Sequence, residues 1–171
     1  MPETAAATIE RWFVDHVPSD WLAAPATVTV DNDEILVLLP LPEPTAADGD
    51  GDPDARRAAR ISAFREETRE RRIDIATQAE HLFQRKVSWG AVIGDTRRVF
   101  TSLAVPVMTR LRMTERAVLD LLIDAGVARS RSEALAWCVR LVEKHERAWI
   151  DDLRAALEHV KKARASGPVS I

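Results

Sequence analysis

The sequence predicts an α+β fold, because runs with the alternation of β-strands occur beside longer segments with the period of helices. Residues 26–41 contain two β-rich runs around turn residues at 31–33, a pattern typical of a β-hairpin. Residues 87–94 form a third run of strand length. Of the 171 residues, 46% are apolar and 30% are charged. This composition can build the core of one average domain or of two small ones.

A small N-terminal α+β module is predicted over residues 1–94. Its first helix spans Thr4–Val17, where apolar residues recur at helical spacing until Pro18 ends the pattern. One long charged helix is expected from Asp54 to Lys86, directly before the third strand. Three tryptophans are expected to anchor the core of this module: Trp12, Trp21 and Trp89.

Residues 42–54 are rich in proline, glycine and aspartate and show no period, so we expect a flexible acidic loop there. The same run superficially resembles a calcium-binding loop. In that alignment the turn glycine would fall at Pro53 and the bidentate acid at Ala59, and neither residue suits its position. A solvated linker is therefore the preferred interpretation.

The pattern changes after a turn predicted at 95–98. Residues 105–113 alternate along the chain and predict a further strand. Thr114 is expected to cap a helix with Glu115 in its first turn, and Gly126 is expected to end that helix in the left-handed conformation. The predicted apolar face of this helix consists of Ala117, Val118, Leu121, Leu122 and Ala125.

A second helix is expected after a short connection, with Ser130 or Ser132 as its cap and Glu133 in its first turn. Its pattern can continue into a C-terminal helical extension over 146–165, until the Gly-Pro pair at 167–168 interrupts it. Its apolar face comprises Leu135, Cys138, Val139 and Val142.

Charge divides the chain unevenly although the whole carries only −3. Residues 1–85 have a net charge of −8, whereas residues 86–171 have a net charge of +5. Between Arg97 and Arg131 there are seven arginines and three acids. This split predicts an acidic first module and a basic second module that could bind a polyanion.

The second module resembles the ribbon–helix–helix family of dimeric DNA-binding proteins, the MetJ/Arc/CopG type. The resemblance rests on VMTRL at 107–111, VLDLLIDAG at 118–126 and ARSRSEAL at 128–135, and it covers about residues 103–145. It implies that two copies of the strand pair antiparallel across a two-fold axis while four helices cover one face of the ribbon.

Strand alternation assigns the two faces of that ribbon. Thr109, Leu111 and Met113 are expected to face the helices, and the exposed face carries the base-facing candidates Met108, Arg110 and Arg112. A two-stranded ribbon fits the major groove of DNA, where arginine can bond guanine bidentately. A backbone phosphate is expected at the start of the second helix, where the candidates are Arg129, Ser130, Arg131 and Ser132.

The predicted function is therefore a homodimeric or higher oligomeric binder of double-stranded DNA that acts as a transcriptional regulator. The N-terminal module would supply a ligand or protein contact. In the alternative, the protein is an interaction scaffold or antitoxin-like partner binder that uses the ribbon only to dimerise. An enzyme built on the N-terminal module has little support, because no catalytic arrangement of side chains can be placed.

Further classes of site find no support in the sequence. One cysteine and four histidines without close pairing predict no metal site, although Cys138 and His145 share a helical face. No cofactor motif and no bilayer-length apolar run is present, so we expect a cytoplasmic protein without membrane contact. The Arg/Glu-rich run at 56–72 could bind nucleic acid, but ion pairs along a solvated helix explain it more simply.

Overall fold

A computed structural model describes residues 5–44 and 52–166 of the chain. The chain divides into two compact units, an N-terminal unit (Met1–Pro106) and a C-terminal unit (Val107–Ile171). Helices and a four-stranded sheet are both present, which confirms the predicted α+β class. Most of the acidic run at 42–54, the first residue of the predicted N-terminal helix and the Gly-Pro pair at 167–168 lie outside the described residues.

The described residues of the N-terminal unit form three helices, a 3₁₀ turn and four strands. In chain order these are α1 (Ala5–His16), the 3₁₀ turn (Ser19–Trp21), β1 (Thr27–Val30), β2 (Glu34–Pro40), α2 (Pro53–Glu67), α3 (Arg69–Phe83), β3 (Lys86–Ile93) and β4 (Thr96–Val99).

The strands form one sheet in the order β1-β2-β3-β4. The predicted hairpin is confirmed as β1 and β2, which pair antiparallel, and Asp31 accepts two backbone N–H bonds in its turn. β2 and β3 pair in parallel, with α2 and α3 in the connection between them. Alternate residues of β2 and β3 are buried with residues of the three helices. The largest side chain of this core is Trp89, and the largest that are almost completely buried are Phe13, Phe64, Ile9, Ile35, Leu39, Ile61, Ile75 and Ile93.

The predicted single helix from Asp54 to Lys86 is wrong, because the helix is interrupted at Thr68 and ends at Phe83. The Thr68 hydroxyl donates to the Phe64 carbonyl at 2.6 Å and accepts from Arg72 Nε at 3.0 Å. A threonine that bonds the carbonyl four residues back bends a helix. Hydrophobic period alone does not reveal such a break.

The turn predicted at 95–98 is also wrong, because Thr96–Val99 is a strand that pairs antiparallel with β3. The turn lies earlier, at Gly94 and Asp95, and Gly94 has a φ of +53°. β4 is a short edge strand that carries exposed arginines, and charged side chains are common on edge strands. It therefore lacks the alternation of apolar and polar residues by which a strand is recognised in a sequence. The first unit therefore extends beyond residue 94.

As far as residue 166, the C-terminal unit contains three helices: α4 (Met113–Asp124), α5 (Arg131–His145) and α6 (Arg147–Ala165). Glu146, with φ −107° and ψ 26°, separates α5 from α6, so the extension begins where it was predicted but as a distinct helix. Residues 101–112 are neither helix nor strand in the single chain. The strand predicted at 105–113 is therefore wrong for the single chain, where no described segment pairs with these residues, and Met113 belongs to α4.

The two ends of α4 differ in how well they were predicted. The N-cap is Arg112 rather than Thr114, because Glu115 accepts the backbone N–H of Arg112 at 2.5 Å and the helix begins two residues earlier than predicted. At the other end, Gly126 has a φ of +74°, which confirms the left-handed position. The N–H groups of Gly126 and Val127 donate to the carbonyls of Ile123 and Leu122, both at 2.9 Å.

Within the described residues, none of the helices has both the length and the apolar character that a bilayer crossing requires.

Gly126 gives a first testable prediction. Replacing Gly126 with Ala should destabilise the C-terminal unit by about 1 kcal/mol, because a side chain at positive φ is strained. No atom lies within 4 Å of an added Cβ, so crowding adds nothing. Gly126→Asn is the matched control and should cost less, since asparagine tolerates this conformation. Urea unfolding followed by helical circular dichroism measures both, and equal loss in the two variants would contradict the assignment.

Candidate nucleic-acid interface

The three base-facing candidates lie on the exposed segment that leads into α4. Met108 is 94% exposed, and Arg110 and Arg112 are exposed as well. Neither arginine has an ion-pair partner among the described residues. Two guanidinium groups two residues apart are therefore free to bind an anionic partner.

The backbone around these side chains is largely unpaired. Residues 104–110 have no backbone hydrogen bond to another described residue of the single chain. Leu111 is one of the three residues expected to face the helices. It is half-buried against them, and its carbonyl accepts a hydrogen bond from Arg116 Nη1 at 2.7 Å. Thr109 and Met113 were also expected to face the helices. Both are exposed in the single chain, so neither packs in the helical core.

Ser130 caps α5, and Ser132 does not. The Ser130 hydroxyl accepts the backbone N–H of Glu133 at 3.2 Å, while Ser132 lies exposed in the first turn. Both serines are at the N-terminus of a fifteen-residue helix, where backbone N–H groups and the helix dipole favour an anion.

Arg129 is tied to the same turn. Glu133 accepts the Arg129 backbone N–H at 2.8 Å and its Nε at 3.3 Å. These bonds hold the pKa of Glu133 below its ordinary value. The Arg129 side chain is nevertheless 92% exposed, so it could exchange this carboxylate for another anion.

Arg131 is held more firmly, by a bidentate ion pair with Asp120 of α4. Its Nε and Nη2 both donate to the carboxylate, each at 2.7 Å. The bonds lower the pKa of Asp120 and raise that of Arg131. The predicted phosphate ligand is therefore also a clamp between α4 and α5. We did not predict this role, although a lone carboxylate inside the apolar run 118–123 was a signal of it.

The helices of this unit bury little against each other. The buried residues are Leu119, Ala128 and Ala134. Of the predicted faces, Leu122, Leu135 and Cys138 pack against that cluster, whereas Val118 and Leu121 are 53% and 67% exposed. Further large apolar side chains are exposed along α5 and α6: Val139, Leu141, Val142, Trp149, Leu153, Leu157 and Val160.

No group of three histidine, cysteine or acidic side chains that could hold a metal occurs in residues 5–44 and 52–166. Cys138 is a free, half-buried thiol packed beside the small cluster of the C-terminal unit.

The Asp120–Arg131 pair gives a second prediction. Because Arg131 lowers the pKa of Asp120, the pair stabilises the folded chain above the ordinary aspartate pKa, and this contribution is lost as pH falls through the lowered one. Arg131→Gln should raise the pKa of Asp120 toward its ordinary value, as measured by carboxyl ¹³C NMR titration. Arg129→Gln is the control and should leave Asp120 unchanged. An unaltered Asp120 titration in Arg131→Gln would show that the ion pair does not form.

Comparison with known proteins divides the chain in the same way. Residues 7–99 match the family described as "Rv1265-like protein, N-terminal domain", and residues 112–164 match the "Mb1296 C-terminal domain". "Uncharacterized protein Mb1296" of Mycobacterium bovis and "Uncharacterized protein Rv1265" of Mycobacterium tuberculosis are each 47% identical over 167 residues. The matched region covers 98% of this chain and 72% of each relative. No solved structure matches. The chain belongs to the Rv1265-like family.

Proposed function

We propose that the protein is a homodimeric DNA-binding transcriptional regulator of ribbon–helix–helix type, acting in the cytoplasm. One observation carries the proposal: an exposed, unpaired segment with two free arginines directly precedes a pair of helices whose apolar faces are mostly exposed. A second copy of the chain would supply hydrogen-bond partners for the backbone of this segment and apolar contacts for the exposed faces of the helices.

The size of the core supports the dimer. A folded unit of about 60 residues ordinarily buries about 60% of the surface that its unfolded chain exposes. In the described part of the C-terminal unit, three residues are buried, two of them alanines. Two copies that place Val118 and Leu121 between them would build a larger shared core.

Pairing of the exposed segment follows from its backbone. Residues 104–110 can satisfy their C=O groups and, except at Pro106, their N–H groups with a second copy, and antiparallel pairing gives each copy the same contacts. Leu111 already packs toward the helices, so its neighbours Arg110 and Arg112 fall on the opposite face of such a ribbon. Four guanidinium groups would then project from one surface that fits the major groove.

The arginines proposed to bind phosphate at the start of α5 already bind carboxylates of the same chain. Arg129 and Arg131 have carboxylate partners within the chain, and phosphate would have to compete with Glu133 and Asp120. The same observation favours a second candidate function, in which the ribbon serves dimerisation alone and the protein binds another protein. Loss of the two ribbon arginines separates these functions.

The ribbon arginines give a third prediction. In Arg110→Ala and Arg112→Ala, affinity for duplexes selected by the wild-type chain from a random pool should fall about five- to 150-fold, because each arginine is worth about 1–3 kcal/mol of base discrimination. The dimer should persist, since both side chains lie outside its core. Arg140→Ala, an exposed arginine on α5, is the matched control and should bind normally.

Fluorescence anisotropy at several salt concentrations measures the effect, because phosphate contacts also make binding fall steeply with salt. Wild-type affinity in both ribbon variants, or failure of the wild-type chain to select any duplex, would leave the scaffold function as the better account.

The exposed face of α4 gives a fourth prediction. Leu121→Glu should convert the dimer into a monomer and abolish DNA binding, because a carboxylate in the shared core would be buried without a partner. Val14→Glu changes a similarly exposed apolar residue of α1 and should leave the dimer intact. Sedimentation velocity measures the mass. A wild-type monomer, or a Leu121→Glu dimer of wild-type stability, would contradict the assembly.

A further inference from the structure

The N-terminal unit contains a cavity of about 290 Å³ at the junction of α2 and α3. Its polar side is formed by Arg65, Arg69 and Arg72, and its apolar side includes Ile73, Trp89 and Phe100. Its size lies at the lower end of the range for small-molecule sites. None of these residues belongs to the proposed DNA-binding surface.

Arg72 is the unusual member of this cavity. It is only 6% exposed, yet it has no carboxylate partner among the described residues. Its Nε donates to the Thr68 hydroxyl and its Nη2 to the Arg65 carbonyl at 2.6 Å, and the guanidinium lies 4.8 Å from the Phe100 ring centroid. Burial and the neighbouring charge of Arg65 lower the pKa of Arg72, Glu66 partly opposes them, and Arg69 lowers it further. An anion would relieve both effects.

Trp89 supplies an independent observation. It is 3% exposed, and its indole N–H is buried without a partner among the described residues. Its backbone is fully paired, since its N–H donates to the Thr101 hydroxyl and its carbonyl accepts from Phe100. A buried unpaired N–H is costly in a folded protein, and here that cost lies in a residue that also lines the cavity.

The two sides of the cavity define the ligand that would fit. Arg65 and Arg69 are exposed at the rim, where Arg65 Nε lies 3.9 Å from the carboxylate of Glu66, the one acidic lining residue, so Arg69 supplies the rim charge that has no ion-pair partner among the described residues. Ile73, Ala76, Val87 and the Phe100 ring give the remainder of the lining an apolar character. Guanidinium groups bind carboxylates bidentately, while aromatic side chains favour a flat apolar group.

We propose that this cavity binds a small organic anion, with its carboxylate on the arginines and its flat apolar body against Trp89 and Phe100. The site is independent of DNA binding, so either proposal can fail while the other stands.

The indole N–H signals of the full-length chain test this directly. Five tryptophans give a small set of indole ¹H–¹⁵N peaks, and Trp89→Phe identifies the relevant one. Naphthalene-2-carboxylate is the probe, and its neutral carboxamide is the control of equal shape. The carboxylate should move the Trp89 peak saturably, with at least tenfold higher affinity than the carboxamide.

Variants at the rim locate the charge. Arg69→Ala should weaken carboxylate binding about tenfold, while Arg71→Ala, an exposed neighbour on α3 that does not line the cavity, should leave it unchanged. Both altered side chains are exposed, so the unit should fold in each case. No saturable movement of the Trp89 peak, equal affinity for the two probes, or equal effects of the two variants would each overturn the proposal.

Discussion

The C-terminal unit depends on one constraint: the polar backbone groups of residues 104–110 and the apolar faces of α4 and α5 lack partners within a single chain. Unpaired backbone N–H and C=O groups in an extended segment favour pairing with another strand. Apolar faces that stay exposed to water raise the free energy of the folded chain. The small cluster around Leu119 and Ala134 cannot offset both. Pairing of two copies is the simplest arrangement that meets both needs, and it is also the one that places arginines on a common surface.

The N-terminal unit is different, because its sheet and three helices enclose a core of their own. Phe13, Phe64 and the alternating residues of β2 and β3 fill that core. A unit with this much buried apolar surface can retain a costly group such as the Arg72 guanidinium without a carboxylate. Functional sites often keep such unfavourable groups, and this is why the cavity rather than the core is the informative part of the unit.

Much of the fold followed from local patterns. The β1–β2 hairpin, the cap at Ser130 and the left-handed Gly126 were predictable because turn and cap chemistry is written in a few neighbouring residues. The break at Thr68 and the strand β4 were not, since a hydroxyl–carbonyl bond and a charged edge strand leave no hydrophobic period.

The candidate DNA-binding site was only partly predictable for a similar reason. Alternation placed Arg110 and Arg112 together on an exposed segment, but the pairing of Arg131 with Asp120 depends on how two helices approach each other. Charge counts therefore overstated the number of free arginines.

The distance between two copies of Met108 tests the central claim most directly. A chain carrying Cys138→Ser and Met108→Cys can be spin-labelled at one position, on the face of the ribbon that points away from the helices, and measured by double electron–electron resonance. Diagonal neighbours in paired antiparallel strands lie about 7–8 Å apart, so pairing here predicts one narrow distance within about 20 Å once the label tethers are included. A broad distribution, or no dipolar signal at all, would contradict the ribbon and with it the DNA-binding surface.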